Sequence, residues 1–224
     1  FTFGEGLNDD ETISYFLFKN HNVFVKNLGV HGYGLHQALW QIKNGVTSKM
    51  PNGINILLTA PWHSLRSSCK PRYAVGTPRY IFENGFLRQD GLCDAGSIIY
   101  RTFIKSNIVK LLKLDIKKDQ NVITNEDIEL YIEIIKEIKK LSVENKASLV
   151  IAYIDASKEL LSKTRYTNES LLTELQLIGD SVIDVTLAEN FEDLDPKFYL
   201  HKLDKHPTSI ANENRAELIS EIFK

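Results

Sequence analysis

The sequence lacks long hydrophobic runs and blocks of like charge. Its longest apolar stretches, such as residues 54–60, have the length of a buried strand and fall far short of the roughly 20 residues that cross a membrane. Lys and Arg number 27 against 29 Asp and Glu, so the formal net charge is only −2 and no basic patch favours nucleic acid as a partner. We therefore expect a globular chain that does not bind nucleic acid.

Cysteine is scarce as well, because Cys69 and Cys93 are the only two. Their spacing fits neither a CxxC redox motif nor a metal-ligand pattern, and His21, His31 and His36 share no ligand spacing, so we predict no metal. The two cysteines flank a turn-rich segment, which leaves two alternatives open. They form a disulfide across its base, as in proteins of oxidising compartments, or they are two unrelated buried thiols.

Short apolar runs alternate with amphipathic stretches along the chain, which indicates βα units around a parallel sheet. Asn168 is a candidate N-cap, and Thr208 or Ser209 is expected to cap the last helix. In that helix we expect Ile210, Leu218, Ile219 and Ile222 to face the core. Predicted strands are 22–30, 54–60, 148–154 and 181–187; predicted helices are 12–19, 33–43, 97–114, 125–144, 168–178 and the stretch after Pro207.

The chain is long enough for one domain, and we predict a single domain over residues 1–224. Residues 62–96 fit neither element type and form an expected insertion. Within it, Asn84-Gly85 lies at the centre of a predicted hairpin over 80–87. At the start, a loop leads into the first helix, whereas a doubly wound sheet has a strand before such a loop. We therefore expect the first strand to lie ahead of Phe1.

The first twelve residues read FTFGEGLNDDET. They resemble the start of SGNH (GDSL-like) hydrolases and acyltransferases, in which a first strand ends in Gly-Asp-Ser or Gly-Cys-Ser and continues as Phe-Thr-x-Gly-x-Gly. The resemblance implies a flavodoxin-like, three-layer α/β/α fold with a mostly parallel sheet, and it places the nucleophilic serine immediately before Phe1. Thr2 falls two places after the nucleophile and is not expected to replace it.

Residues 27–34, NLGVHGYG, follow a predicted strand and open a helix. They resemble the second conserved region of the same family, in which the first glycine donates its backbone N–H to the oxyanion. The resemblance assigns that role to Gly29. A preorganised N–H there contributes roughly 3 kcal/mol to acyl transfer.

Residues 203–208, LDKHPT, precede the last helix. The resemblance implies that Asp204 and His206 complete a catalytic triad, with His206 taking the serine proton and Asp204 orienting the imidazole. The Asp-x-His-Pro spacing is one residue shorter than the usual Asp-x-x-His of the family. His201 with Asp195 is an alternative pair that lacks the following proline and helix.

Residues 60–66, APWHSLR, stand where most members of the family carry Gly-x-Asn-Asp, whose Asn is a second oxyanion donor. No Asn is present here. We expect His63 to point an N–H into the site and Arg66 to bind an anionic group of the substrate. The alternative is that Trp62 and His63 only pack beneath the inserted loop.

These elements together predict a serine esterase or O-acyltransferase that acts on a small-molecule, carbohydrate or lipid ester through an acyl-serine intermediate, without a cofactor. A non-catalytic SGNH-like binding or accessory domain is the alternative, and a flavodoxin-like nucleotide or flavin binder ranks third. The possible disulfide and the usual localisation of the family favour a location outside the cytoplasm. The oligomeric state stays open.

Overall fold

The computed structural model describes residues 2, 4–48, 52–71, 74–93, 122–187, 196–199 and 206–224. The chain has a mixed α/β fold built on a parallel sheet and a separate antiparallel hairpin. The parallel sheet has the strand order β1-β4-β5, with β4 in the middle. The strands are β1 (Ile54–Thr59), β2 (Pro78–Glu83), β3 (Phe86–Leu92), β4 (Ser148–Tyr153) and β5 (Ser181–Asp184).

Threonine hydroxyls fix the starts of several helices, because each accepts a hydrogen bond from a backbone N–H of the first turn. This is the case for Thr12, Thr124, Thr167 and Thr208. No helix in the described ranges combines the length and the hydropathy that a membrane span requires. The helices are α1 (Ile13–His21), α2 (Leu35–Lys43), α3 (His63–Ser67), α4 (Asn125–Glu144), α5 (Lys158–Leu161), α6 (Asn168–Gln176) and α7 (Ser209–Ser220).

Two apolar clusters cover opposite faces of the parallel sheet, as the alternation along β4 requires. Leu149, Ile151 and Tyr153 belong to a cluster shared with α2, α4 and α6. Ala152, from the opposite face of β4, belongs to a second cluster shared with α1 and α7. Helices therefore lie on both faces of the sheet.

The hairpin forms where the sequence predicts it. Asn84 and Gly85 have φ values of 53° and 79°, the left-handed pair that a two-residue hairpin turn requires. Tyr80 on β2 is 1% exposed and belongs to the same apolar cluster as α4, so the hairpin contributes to the core. A disulfide joins Cys69, just after α3, to Cys93, just after β3, with the Cα atoms 5.4 Å apart. The structure therefore favours the bridge over two separate thiols.

Over 22–30, where the sequence predicts a strand, the structure shows no pairing with any strand of the described ranges. Helix α1 runs to His21, and Asn22 ends it in the left-handed conformation with φ 55°. Residues 22–30 have no regular secondary structure.

Two details of the predicted helices are wrong. The N-cap of α6 is Thr167, since Asn168 instead hydrogen-bonds both the N–H and the C=O of Ala156. In α7, Ile210 and Leu218 are 49% and 37% exposed, whereas Ile219 is buried as expected. The predicted helix over 97–114 lies outside the described residues.

Candidate functional site

A cavity of about 660 Å³ lies along one edge of β1, and distant parts of the chain line it. Its wall includes Gly29, His63, Arg66 and His206, the described residues that the sequence singled out, together with Thr2. Asp204 and the alternative pair Asp195 and His201 lie outside the described residues.

Gly29 lies at the turn in the loop that connects α1 to α2. Its N–H donates to Oδ1 of Asn27 at 2.9 Å, while Nδ2 of Asn27 donates to the C=O of Thr2 at 2.7 Å. The Asn27 side chain therefore ties the turn to the start of the chain. An oxyanion reaches the Gly29 N–H only by replacing the Asn27 oxygen.

Arg66 holds the other end of the same turn. Its Nη1 donates to the C=O of Tyr33 at 3.0 Å. A Cβ added to Gly34 would lie 2.7 Å from the Arg66 Cβ and 2.8 Å from Nδ1 of His36, so only glycine allows α2 and α3 to approach this closely. The Arg66 guanidinium thus positions the turn that carries Gly29.

His63 is the first residue of α3 and is 8% exposed. Its Nδ1 lies 3.3 Å from Oγ1 of Thr59, and that hydroxyl donates its only proton to the hydroxyl of Tyr131 at 3.1 Å. Thr59 can then only accept from His63, which places the imidazole proton on Nδ1 and leaves Nε2 as an acceptor. Burial, and next the positive charge of Arg66, hold the pKa of His63 well below its usual range, so the ring is neutral.

His206 contacts a carboxylate that the sequence reasoning missed. Its Nε2 lies 3.0 Å from Oε2 of Glu5, and Nε2 of His31 lies 2.7 Å from the same oxygen. Glu5 stands between Gly4 and Gly6, whose φ values of 85° and 79° form a tight turn that presents its side chain to the cavity. The only available signal was the Gly-Glu-Gly sequence.

The residues after His206 hold it at the cavity. Pro207 forms an isolated antiparallel bridge with Tyr199, and the N–H of Thr208 donates to the C=O of Phe198 at 3.1 Å. The Thr208 hydroxyl caps α7 by accepting from the N–H of Ala211. His206 therefore lies directly before a backbone contact with residues 198–199 and the start of α7.

Two acidic residues, Asp155 and Asp184, lie at the carboxyl ends of β4 and β5. Burial, and next the charge of Asp184, raise the pKa of Asp155 to about 6. The N–H of Asp155 donates to Oγ1 of Thr186 at 2.9 Å, which fixes the backbone there. Asp155 does not belong to the wall of the cavity.

The described residues contain no group of three or more His, Cys, Asp or Glu side chains arranged to hold a metal ion.

Comparison of the chain with protein-family models, with curated proteins and with solved structures finds no match. The chemistry of the residues in the cavity wall is therefore the basis for inferring a function.

Proposed function

We propose that the chain is the greater part of an SGNH-type serine esterase or O-acyltransferase, whose nucleophilic serine stands immediately before Phe1. The observation that carries the proposal is the cavity wall. Gly29, His63, Arg66 and His206 come from three well-separated parts of the sequence, yet they line the same cavity as Thr2. A residue directly before Phe1 would lie near that wall.

The arrangement of the strands supports a flavodoxin-like sheet as the finer description of the fold. Such sheets have the strand order 2-1-3-4-5, with helices on both faces. The observed order β1-β4-β5 corresponds to the last three positions. Residues 23–30 would take the outermost position, and a strand ahead of Phe1 would take the one next to β1.

In the proposed reaction the serine Oγ attacks the carbonyl carbon of an ester, and His206 takes the hydroxyl proton. The tetrahedral intermediate then expels the alcohol, which receives that proton from His206. Water, or a second alcohol in an acyltransferase, attacks the acyl-serine in the same way and releases the acid or the new ester. Apart from the ester and the attacking water or alcohol, these steps need only groups of the protein.

Two contacts must be exchanged during this reaction. The N–H of Gly29 has to leave Oδ1 of Asn27 for the oxyanion, and Nε2 of His206 has to leave Glu5 for the nucleophile. Backbone donors of this kind stabilise the oxyanion by about 3 kcal/mol. Asp204 is proposed to orient the imidazole of His206.

The hydrogen bonds of His63 and Arg66 suggest roles that differ from the sequence expectation. With its proton on Nδ1, His63 offers Nε2 as an acceptor, which suits a hydroxyl of the substrate better than an oxyanion. Arg66 donates to Tyr33, which supports a role in positioning the Gly29 turn. A hydroxyl-bearing ester, such as one of a carbohydrate, fits this wall.

The proposal is tested on the full-length gene product with p-nitrophenyl acetate and with a fluorophosphonate probe. We expect turnover of the ester and covalent labelling of the serine, and His206→Gln should reduce both by at least about 10³-fold. Thr2→Val is the matched control, because Thr2 lines the cavity but contributes its backbone C=O to the structure. Absence of both turnover and labelling would contradict the proposal.

A non-catalytic binding domain is the second candidate, and a specific observation favours it. The N–H of Gly29 and Nε2 of His206 both have partners within the protein, as expected of a site that is not used for turnover. This candidate predicts that the inactive protein still binds acetylated sugars in a calorimetric titration. A protein that neither turns over esters nor binds such ligands would contradict both candidates.

A further inference from the structure

Helix α3 ends in a backbone conformation that its sequence does not favour. The N–H of Lys70 donates to the C=O of Leu65, and the N–H of Cys69 donates to the C=O of Arg66, both at 3.0 Å. These two hydrogen bonds form a Schellman motif, in which the left-handed residue after the helix is usually glycine. Here that residue is Cys69, with φ 59°. Because the Cβ of Cys69 disfavours this conformation, contacts outside the helix have to hold it.

The disulfide ties Cys69 to a fixed point of the hairpin. Cys93 is 2% exposed, its N–H donates to the C=O of Thr77 at 2.8 Å, and its C=O accepts from the N–H of Gly76 at 3.0 Å. Cys69, in contrast, is partly exposed and lies in the turn after α3. Cys93 is therefore the anchor of the bridge, and Cys69 is the end that the bridge restrains.

The short helix α3 depends on contacts made at its end. It has five residues, fewer than an isolated helix needs to persist in water. The buried hydroxyls of Ser64 and Ser67 have no hydrogen-bond partner within the described ranges. Nζ of Lys70 donates to the C=O of Val122 at 3.0 Å, but a long side chain does not fix the φ angle of Cys69. The disulfide is thus the contact best placed to maintain the end of α3.

Helix α3 contributes two residues to the cavity wall, His63 at its start and Arg66 in its last turn. The C=O of Arg66 accepts from the N–H of Cys69, while the Arg66 guanidinium donates to the C=O of Tyr33 in the loop that carries Gly29. A backbone change at Cys69 therefore reaches Arg66 directly, and it reaches the Gly29 turn through the contact with Tyr33.

We propose that the Cys69–Cys93 disulfide positions the candidate site and makes it sensitive to dithiol reductants. While the bridge is intact, Cys69 keeps the left-handed conformation that ends α3. After reduction, Cys69 relaxes, and α3 no longer holds Arg66 against Tyr33. The effect on activity rests on the proposed esterase function, whereas the effect on α3 does not.

Reduction of the bridge is a thiol–disulfide exchange in two steps. A thiolate of the dithiol attacks Sγ of Cys69, the more exposed sulfur, and Cys93 leaves as a thiolate that takes up a proton. The second thiol of the reductant then displaces Cys69 from the mixed disulfide. The dithiol becomes a disulfide, and its two electrons reduce the two cysteines.

The test compares two double variants of the full-length protein, Cys69→Ala with Cys93→Ala and Cys69→Gly with Cys93→Ala. Both lack the bridge, but only glycine adopts the left-handed conformation without steric cost. By amide hydrogen exchange, measured residue by residue by NMR, we expect the Lys70 N–H to exchange about 5- to 30-fold faster in the Cys69→Ala variant. The Ile151 amide, in the central strand β4, should exchange at least about 10³-fold more slowly than in an unfolded chain in both variants.

Equal exchange of the Lys70 amide in the two variants would overturn the proposal. Loss of Ile151 protection in either variant would also overturn it, because the bridge would then hold the whole fold and not the end of α3. Dithiothreitol should speed exchange of the Lys70 amide in the unmodified protein and should have no effect on either double variant. An unmodified protein that does not respond would contradict the sensitivity to reductants.

Activity is the second readout in the same proteins. We expect kcat/KM for p-nitrophenyl acetate to be about 3- to 10-fold lower in the Cys69→Ala variant than in the Cys69→Gly variant, because the released Arg66 lets the Gly29 turn shift. Two active variants whose values agree within about twofold would overturn the role in positioning the site. If no protein turns over the ester while Lys70 exchange differs as expected, the proposed esterase function fails and the role of the bridge in holding α3 stands.

Discussion

Nε2 of His206 and Nε2 of His31 approach the same oxygen of Glu5, at 3.0 and 2.7 Å. One carboxylate therefore serves two imidazoles from different parts of the chain. The contact brings together the Gly-Glu-Gly turn, the loop before α2 and the residues before α7. In the proposed reaction Nε2 of His206 has to leave this oxygen before it takes a proton from the nucleophile.

Replacing Glu5 by Gln removes the charge and keeps an acceptor. In the proposed esterase reaction, kcat/KM for p-nitrophenyl acetate should rise about 2- to 5-fold, because a neutral amide holds Nε2 of His206 less strongly than a carboxylate does. His31→Gln is the matched control, since it removes the other partner of Glu5 and keeps the carboxylate next to His206, so kcat/KM should not rise. An unchanged or lower kcat/KM in Glu5→Gln would show that the contact does not restrain His206.

His63 should carry its proton on Nδ1 throughout the neutral pH range. The reason is the chain of hydrogen bonds from His63 through Thr59 to Tyr131, together with the burial that lowers the pKa of the ring. The ¹⁵N chemical shifts of the imidazole distinguish the two tautomers directly. In Thr59→Val the acceptor is lost, and we expect the Nε2–H form to gain population; an Nε2–H form in the unmodified protein would contradict this assignment.

Loss of the Cys69–Cys93 disulfide should destabilise the fold by about 3 kcal/mol, because the bridge closes a loop with a sequence separation of 24. The measurement is urea unfolding of the Cys69→Ala, Cys93→Ala double variant. Reduction of the unmodified protein with dithiothreitol should lower the free energy of unfolding by a similar amount. The double variant should not respond to dithiothreitol, and a response would point to another effect of the reductant.

Asp155 should make stability fall as the pH rises from about 4 to 6. In that window the folded protein keeps a proton on Asp155 that the unfolded chain has lost, so the free energy of unfolding decreases with pH. Asp155→Asn should therefore be more stable than the unmodified protein above pH 6, by about 1–2 kcal/mol, since water still reaches the side chain. Equal stability of the two proteins at pH 4 and at pH 7 would contradict the prediction.

Much of the fold is predictable where local signals and burial agree. The predicted helix over 125–144 matches α4, because Thr124 caps a long stretch with a regular apolar stripe. The run at β4 is apolar without alternation, as expected of the central strand. The Asn84-Gly85 turn requires left-handed residues, and the sequence supplies them.

The errors arise where packing with distant residues decides. Ile210 and Leu218 are large and apolar, which favours a core position, but α7 packs on α1 and buries the smaller Ala211 and Ala216 instead. The inner face of α7 also carries Arg215, which is 2% exposed and donates to the C=O of Val185. No local pattern predicts a buried arginine in that position.

In the candidate site, too, the sequence predicts some features, whereas others depend on contacts between distant residues. The motifs around Gly29 and His206 are visible in the sequence because each lies in a short segment that precedes a helix. The contact of Glu5 with His31 and His206 joins three segments, and the proton position on His63 depends on Thr59 and Tyr131. Such contacts follow only from the folded arrangement.

The outer edge of β1 also affects how the polypeptide behaves in concentrated solution. Within the part of the chain that the structure describes, β1 pairs only with β4, and INILLT contains neither Lys nor Pro, the residues that commonly block such edges. An uncovered apolar edge pairs with the same edge of another molecule and begins an aggregate. The solubility of this polypeptide therefore depends on how completely the outer edge of this one strand is covered.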